Sequence, residues 1–169
     1  MTTSLLHDAF AHHAWATERL IEVCAALSAD QLATQVPGTY GSISGTLGHL
    51  VASDAWYLSF FPVASEPFDD EASPTLDDMR AALTRNAAAW TTLLEGELDP
   101  DEQIAEQDGE WELHSPVGVR LAQVVHHGTD HRSQVCTALT TLGIEPPEID
   151  VWAYARASNR ERAERLPAE

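Results

Sequence analysis

The segment VVHHGTDHRSQV, residues 124–135, contains three histidines within one predicted helix. Residues four apart in an α-helix lie one turn apart on the same face, whereas adjacent residues point about 100° away from each other. His127 and His131 therefore share the inward-facing half of this helix with its apolar residues, and His126 points toward solvent or the rim. The spacing predicts one pair of imidazoles that could reach a single metal ion, with His126 as a bystander.

Four long segments carry apolar residues at helical spacing, and the segment above lies in the last of them. The helices are expected over about residues 3–27, 44–61, 75–94 and 115–142. The acidic stretch ASEPFDDEASP makes a long second-to-third linker, an irregular, hairpin-like excursion around residues 108–109 precedes the fourth helix, and a short helical tail follows at about 151–165. This pattern predicts an all-α four-helix bundle that forms a single domain over residues 1–169.

Local signals place several helix ends. Thr75 with Asp78 three residues later resembles a capping box and opens the third helix. Ser115 and Pro116 have the residue types of an N-cap and a first helical position, so we expect the fourth helix to begin there. Gly143 is expected to end that helix, because glycine adopts the left-handed conformation common just after a helix.

The charge balance is strongly acidic, with 27 acidic residues against 9 basic ones and a net charge of −18. Such a surface repels phosphate backbones and anionic lipids, so we expect neither nucleic-acid binding nor membrane binding. No apolar run approaches the roughly 20 residues needed to cross a bilayer, and the first residues lack a signal-peptide pattern. Two distant cysteines, Cys24 and Cys136, fit a reducing compartment, and we expect a cytoplasmic protein.

The second predicted helix is apolar on two sides. One side carries Leu47, Val51 and Leu58, and the opposite side carries His49, Ser53, Trp56 and Phe60. A helix with two apolar sides is usually covered twice. We therefore expect the bundle core on one side and a second copy of the chain, in a homodimer, on the other.

A third metal ligand would have to come from another helix; His49 is the leading candidate and His13 is its rival. His49 lies on a helix that faces the bundle and shares a face with Trp56. His13 lies in the apolar stripe of the first helix. A hydrogen-bonded core histidine is a competing interpretation for each of these side chains. The remaining histidines are expected at the surface or in loops: His7, His12 and His114.

Several motifs together resemble the DinB/YfiT-like family. HHGTDHRSQV resembles the family's HxxxHRxQ signature, and the stretches GHLVASDAWYL, FAHHAWATERLIEV and LGIEPPEIDVWAYA are similar to other family segments. The resemblance implies a four-helix bundle, often a dimer, in which three histidines from two helices hold one metal ion. Carried over to this chain, those ligands are His49, His127 and His131. Two positions depart from the family pattern: Ser133 replaces a usual glycine, and His13 stands where many relatives have asparagine.

Three neutral ligands would leave open positions on the ion, which is the layout of a catalytic site. His13 is a candidate additional ligand or substrate contact. Asp54 and Asp130 are candidates to orient an imidazole, although a solvated surface position is the competing interpretation. Trp56 is a candidate substrate contact, and Arg132 is either a clamp on an anionic thiol or a partner in a surface ion pair.

The resemblance implies one divalent metal ion, and histidine nitrogens suit zinc or nickel. It also implies a metal-dependent transferase that uses a low-molecular-weight thiol on small electrophiles, because characterised relatives include such enzymes. Two alternatives remain open at this point. One is a non-catalytic metal-binding stress-response protein, and the other is a metal-dependent hydrolase acting on a small molecule.

Overall fold

A computed structural model describes residues 6–165 and contains four long helices, two short ones and one β-hairpin. The helices are α1 His7–Cys24, α2 Ala29–Leu32, α3 Ile43–Leu58, α4 Leu76–Glu95, α5 Val117–Thr141 and α6 Val151–Ala157, and the strands are β1 Gln103–Asp108 and β2 Trp111–Pro116. The predicted four-helix bundle is confirmed, because α1, α3, α4 and α5 pack together around a shared core. Within the described residues, no helix has the length and apolarity that a membrane crossing requires.

The order of the helices around the bundle differs from their order along the chain. α1 packs against α4 and α5, and α3 packs against the same two helices. Consequently α1 and α3 lie diagonally opposite each other, as do α4 and α5. This arrangement lets side chains from α1 and α3 meet only by crossing the interior of the bundle.

The end of the first helix and the loop that follows it both differ from the prediction. The first helix ends at Cys24 rather than near residue 27, and the part of the prediction before residue 6 lies outside the described residues. The segment after it, predicted as a loop, contains the single turn α2. Its cause is a capping box in which the Ser28 side chain accepts from the backbone of Gln31 and the Gln31 side chain accepts from the backbone of Ser28.

The start of α4 is confirmed, because Thr75 and Asp78 form the predicted capping box. The predicted start of the fourth helix is wrong: Ser115 pairs with Ile104 in the hairpin, and Pro116 is the N-cap. Strand pairing keeps the chain extended through Pro116, so helix α5 begins only after the strand ends. The end of α5 follows the prediction, with Gly143 at φ +73° just beyond the helix.

The hairpin-like excursion is confirmed as β1 and β2, which pair antiparallel across a turn at Gly109. Arg120 of α5 holds this hairpin to the bundle: its guanidinium donates to Glu106 at 2.8 Å and lies over the ring of Phe60. The helical tail is shorter than predicted and ends at Ala157. Asn159 has φ +57°, a left-handed conformation that stops an α-helix.

The core of the bundle is divided by a polar layer. Five buried polar side chains form this layer: His13, Thr17, Asp54, Asn86 and Arg132. One apolar cluster on one side of it includes Leu20, Leu47, Leu83 and Val135, and another on the other side includes Phe10, Leu58, Trp90 and Val124. Since buried polar groups cost free energy unless they are hydrogen-bonded, the partners of this layer are central to how the helices fit together.

Candidate metal centre

Three histidine side chains converge between α3 and α5. The Nε2 atom of His127 lies 3.2 Å from Nε2 of His49 and 3.1 Å from Nε2 of His131. One nitrogen from each ring lies within 4.8 Å of the other two. The spacing in α5 brings His127 and His131 onto one face, and α3 supplies His49 across the interface between the two helices. We call this group the histidine triad.

The separations within the triad suit a common ion. Three imidazole nitrogens bound tetrahedrally at about 2.05 Å from zinc would stand about 3.3 Å from one another. The two separations above differ from that value by only a few tenths of an ångström. The donor set therefore fits a divalent metal ion, and N–H···N hydrogen bonds between neutral rings can hold the same separations when no ion is bound.

The local environment favours the neutral form of His127 and of His49. Burial, followed by repulsion from His131 and His49, lowers the pKa of His127 to about 4. Burial and the neighbouring His131 also lower the pKa of His49, although Asp70 opposes this effect. A neutral imidazole has a free lone pair, so these two rings are ready to bind a metal ion at neutral pH.

Two further residues orient the rings of the triad. His131 donates from Nδ1 to the side-chain oxygen of Gln134 at 3.2 Å, which leaves its Nε2 lone pair facing the triad. The same oxygen accepts from the backbone of Tyr40 at 2.8 Å, and the Tyr40 ring stacks on His49 with centroids 4.0 Å apart. Gln134 was detectable from its position three residues after His131. Tyr40 lies in a loop, and no helical spacing could have indicated it.

A cleft of about 430 Å³ adjoins the triad. His49 and His127 form part of its wall, and the rest includes Trp56, Tyr57, Phe68 and Asp70. An Asp70 carboxylate oxygen lies 3.9 Å from Nδ1 of His49, too far for a hydrogen bond but close enough for electrostatic attraction. Asp70 and Phe68 belong to the acidic linker, and the sequence patterns did not connect that linker with the site.

His13 does not join the triad, because both of its ring nitrogens have other partners. Nε2 donates to the Asp54 carboxylate at 2.9 and 3.1 Å, and Nδ1 accepts from the Arg132 guanidinium at 3.1 Å. Arginine has no acceptor, so Nδ1 of His13 is the acceptor in this contact. The arrangement connects a buried cation on α5 to a buried carboxylate on α3 through a ring on α1, and we call it the buried relay.

The relay corrects two interpretations of the sequence. Asp54 and Arg132 are each 2% exposed, so neither is a surface residue. Burial lowers the pKa of Arg132 to about 10, while Asp54 counteracts that effect. Because the Arg132 guanidinium is directed at His13 and Thr17 inside the bundle, it does not face the cleft as an anion clamp would. Asp54 contacts an imidazole, but that imidazole is His13 rather than a ring of the triad.

Gly128 makes the relay sterically feasible. A Cβ atom at this position would lie 2.2 Å from Cε1 of His13 and 2.8 Å from the Arg132 guanidinium. Such distances are far below van der Waals contact, so only glycine allows α1 to approach α5 this closely. The mid-helix glycine next to His127 therefore serves the relay rather than the triad.

The structure also shows the exposure of the other residues that the sequence analysis discussed. His126 is exposed, as the helix geometry predicted, and Asp130 and His114 are exposed as well. Trp56 lines the cleft and is 45% exposed. The prediction for His12 was wrong: its ring is buried and donates to the backbone carbonyl of Ile149 at 2.7 Å, because the connection before α6 folds back over α1.

Fold and site together define a helical bundle with a three-histidine candidate metal centre and an adjoining cleft. The chain belongs to the DinB family, which it matches over residues 1–165. Among solved structures it is similar to YfiT from Bacillus subtilis, described as "a probable metal-dependent hydrolase with an unusual four-helix bundle topology". The two share 16% identity with a TM-score of 0.62, and the match covers 81% of this chain and 87% of YfiT. No curated protein matches the sequence.

Proposed function

We propose that the protein is a metal-dependent enzyme that acts on a small molecule, with His49, His127 and His131 as the ligands of one divalent ion. The observation that carries this proposal is the convergence of three Nε2 atoms beside a cleft. Histidine nitrogens favour zinc or nickel, and three protein ligands leave a position open for a reactant. A bound ion would lower the pKa of a water or a thiol at that position and so supply a nucleophile at neutral pH.

Hydrolysis is the reaction that the geometry supports best. The predicted thiol transferase requires a site for the thiol, and many small thiols carry carboxylates that a cation would hold. Arg132, the predicted clamp, is directed into the bundle interior. Apart from the histidines, the charged residue that lines the cleft is Asp70, which is negative. Water needs no such clamp. YfiT, which shares this fold, is described as a probable metal-dependent hydrolase, and that description is consistent with the proposal.

A transferase that uses an uncharged low-molecular-weight thiol is the second candidate. The cleft volume of about 430 Å³ lies within the range of small-molecule sites and admits an organic cosubstrate as well as water. A thiol without a carboxylate would avoid repulsion from Asp70. This reaction and hydrolysis share the same ligands and differ only in the nucleophile.

The residues around the triad have distinct roles in either reaction. Gln134 holds the His131 ring so that Nε2 faces the shared position, and Tyr40 packs on His49 and fixes its plane. The aromatic side chains Trp56 and Phe68 provide an apolar wall that holds the substrate and limits water. Ser53, with its hydroxyl 3.5 Å from Nε2 of His49, stands at the same side of the cleft and can hydrogen-bond to a substrate.

The test is turnover of a panel of small esters, amides and alkyl halides by chelator-treated protein, reloaded with Zn²⁺ or Ni²⁺, with and without added thiol. We expect turnover that requires metal and is lost in His49→Ala. His114→Ala is the matched control, because this exposed histidine lies on the hairpin and contacts Glu112. Turnover without thiol supports hydrolysis, and turnover only with thiol supports the transferase. A metal-loaded protein without turnover would contradict both and favour a non-catalytic metal-binding stress-response protein.

A further inference from the structure

We propose that the cleft beside the histidine triad selects an organic cation, an amine or quaternary ammonium compound that carries an apolar group. This inference rests on the proposed function, because it names the substrate class of the same site. Two features of the wall carry it: a carboxylate without a matching arginine, and a group of aromatic side chains of which one is half-exposed.

The charge of Asp70 dominates the entrance of the cleft. Its carboxylate lies 3.9 Å from Nδ1 of His49, and no arginine is among the residues that line the cleft. The sequence contains no lysine. Among the described residues, most arginines are bound to acidic groups elsewhere: Arg19 to Glu22, Arg80 to Glu18, Arg85 to Glu66, Arg120 to Glu106, Arg156 to Glu161 and Arg160 to Asp8. An incoming cation is therefore the natural partner of Asp70.

The aromatic wall favours the same class of ligand. Trp56 is 45% exposed on a helix whose opposite side is fully buried, and its ring meets Tyr57 and Phe60 edge to face with centroids 4.9 and 5.0 Å apart. Such contacts hold the indole in place. Faces of aromatic rings attract ammonium groups, and tryptophan does so most strongly. The apolar part of a ligand gains from burial on the same rings.

The charge of the whole molecule acts in the same direction. A net charge of −18 attracts cations to the surface and repels anions before either reaches the cleft. A cation is therefore attracted first by the surface and then by Asp70, whereas a carboxylate is repelled by both.

The experiment is a ligand-observed NMR titration of the full chain with three probes of matched shape: 2-phenylethylammonium, 2-phenylethanol and phenylacetate. We expect the cation to bind about tenfold more tightly than the alcohol, and phenylacetate to bind more weakly than either. Asp70→Asn should remove the preference for the cation. Trp56→Leu should weaken the binding of the cation more than that of the alcohol, because leucine keeps an apolar contact but has no ring face.

Glu71→Gln is the matched control, because this exposed neighbour removes one negative charge without altering the cleft wall. The control variant should retain the preference for the cation. Equal binding of the three probes, stronger binding of phenylacetate, no binding by any probe, or an unchanged preference in Asp70→Asn would overturn the inference.

The titration is run on metal-free protein, where phenylacetate has no ion to coordinate, and turnover is measured separately on zinc-loaded protein, which separates this inference from the proposed function. Preference for the cation in the metal-free protein, combined with absent turnover, would leave the cleft assignment intact and contradict the enzyme. Metal-dependent turnover without that preference would leave the enzyme intact and contradict the cleft assignment.

Discussion

The histidine triad and the buried relay lie in the same bundle and use the same side chain for opposite purposes. In the relay, both nitrogens of His13 are engaged by Arg132 and Asp54, and the ring is 1% exposed. In the triad, the Nε2 atoms of three half-buried or buried rings face one another rather than a carboxylate or an arginine. The first arrangement binds both ring nitrogens to protein groups, whereas the second directs three ring nitrogens toward one point.

The difference shows that helical spacing identifies inward-facing histidines but does not assign their roles. What decides the role is whether each ring nitrogen has a protein partner. A ring with two partners joins helices together, as His13 joins α1 to α3 and α5. A ring held by one nitrogen, as Gln134 holds His131, keeps the other available for a metal ion.

The strongest test of the relay is Asp54→Ala. This change leaves the buried Arg132 charge without its carboxylate, and we expect the free energy of unfolding to fall by about 3–5 kcal/mol in urea titrations. Asp54→Asn keeps an acceptor for His13 and should lose less. If alanine costs under about 1 kcal/mol, or if asparagine costs as much as alanine, the relay does not hold the helices together.

A smaller loss is expected from Gly128→Ala, which drives a methyl group into the His13 ring. Overpacking should lower the free energy of unfolding by about 1–3 kcal/mol, despite the better helix propensity of alanine. Gly48→Ala in α3 is the matched control, because its added methyl meets only ordinary contacts at 3.4 Å or more. Thermal and urea unfolding should therefore show a lower stability for Gly128→Ala than for Gly48→Ala. Equal stability of the two variants would contradict the close approach of α1 to α5.

Gln134→Ala shifts the test from the relay to the triad. Without the side-chain oxygen, His131 can rotate or change tautomer, so we expect metal affinity to fall about 10- to 100-fold with little change in stability. Competition with a chromogenic chelator measures the affinity. The matched control is Ser133→Ala, because Ser133 is the exposed neighbour of Gln134. This variant should bind metal as the unchanged protein does. Unaltered affinity in Gln134→Ala would remove this residue from the support of the site.

The smallest effect is a pH dependence of the metal-free protein. The folded-state pKa of His127 is about 4, below its ordinary value of 6.5. As the pH falls from 6.5 toward 4, the unfolded chain therefore gains a proton that the folded chain does not, and stability is lost. We expect urea midpoints between pH 7 and 5 to decline more steeply for the unchanged protein than for His127→Ala. Parallel curves would show that His127 titrates normally when the protein is folded.

The sequence predicted the bundle and the inward pair His127 and His131, because both follow from periodicity within single helices. It did not separate His49 from His13, since that choice depends on which partners other helices supply. The helix pattern made His49 the leading candidate without excluding His13, and the resemblance to a known family agreed with that ranking. The surface interpretations of Asp54 and Arg132 failed because each is charged, and charge alone does not reveal a partner on a distant helix.

Residues outside the helices were the hardest to place. Tyr40 lies in the loop before α3 and Asp70 in the linker after it, and both contact His49, so their positions depend on how those segments fold. The same reason explains the error at the start of α5, where strand pairing overrode a local N-cap signal. The predicted homodimer and the cytoplasmic location stay predictions.

The most direct test of the account compares two adjacent histidines by calorimetric titration of Zn²⁺ into metal-free protein. His127 belongs to the triad, and His126 is exposed one position earlier on the same helix. We predict one ion bound per chain in the unchanged protein and in His126→Ala, and no stoichiometric binding in folded His127→Ala. Equal binding by both variants, or equal loss in both, would contradict a metal centre built from the triad.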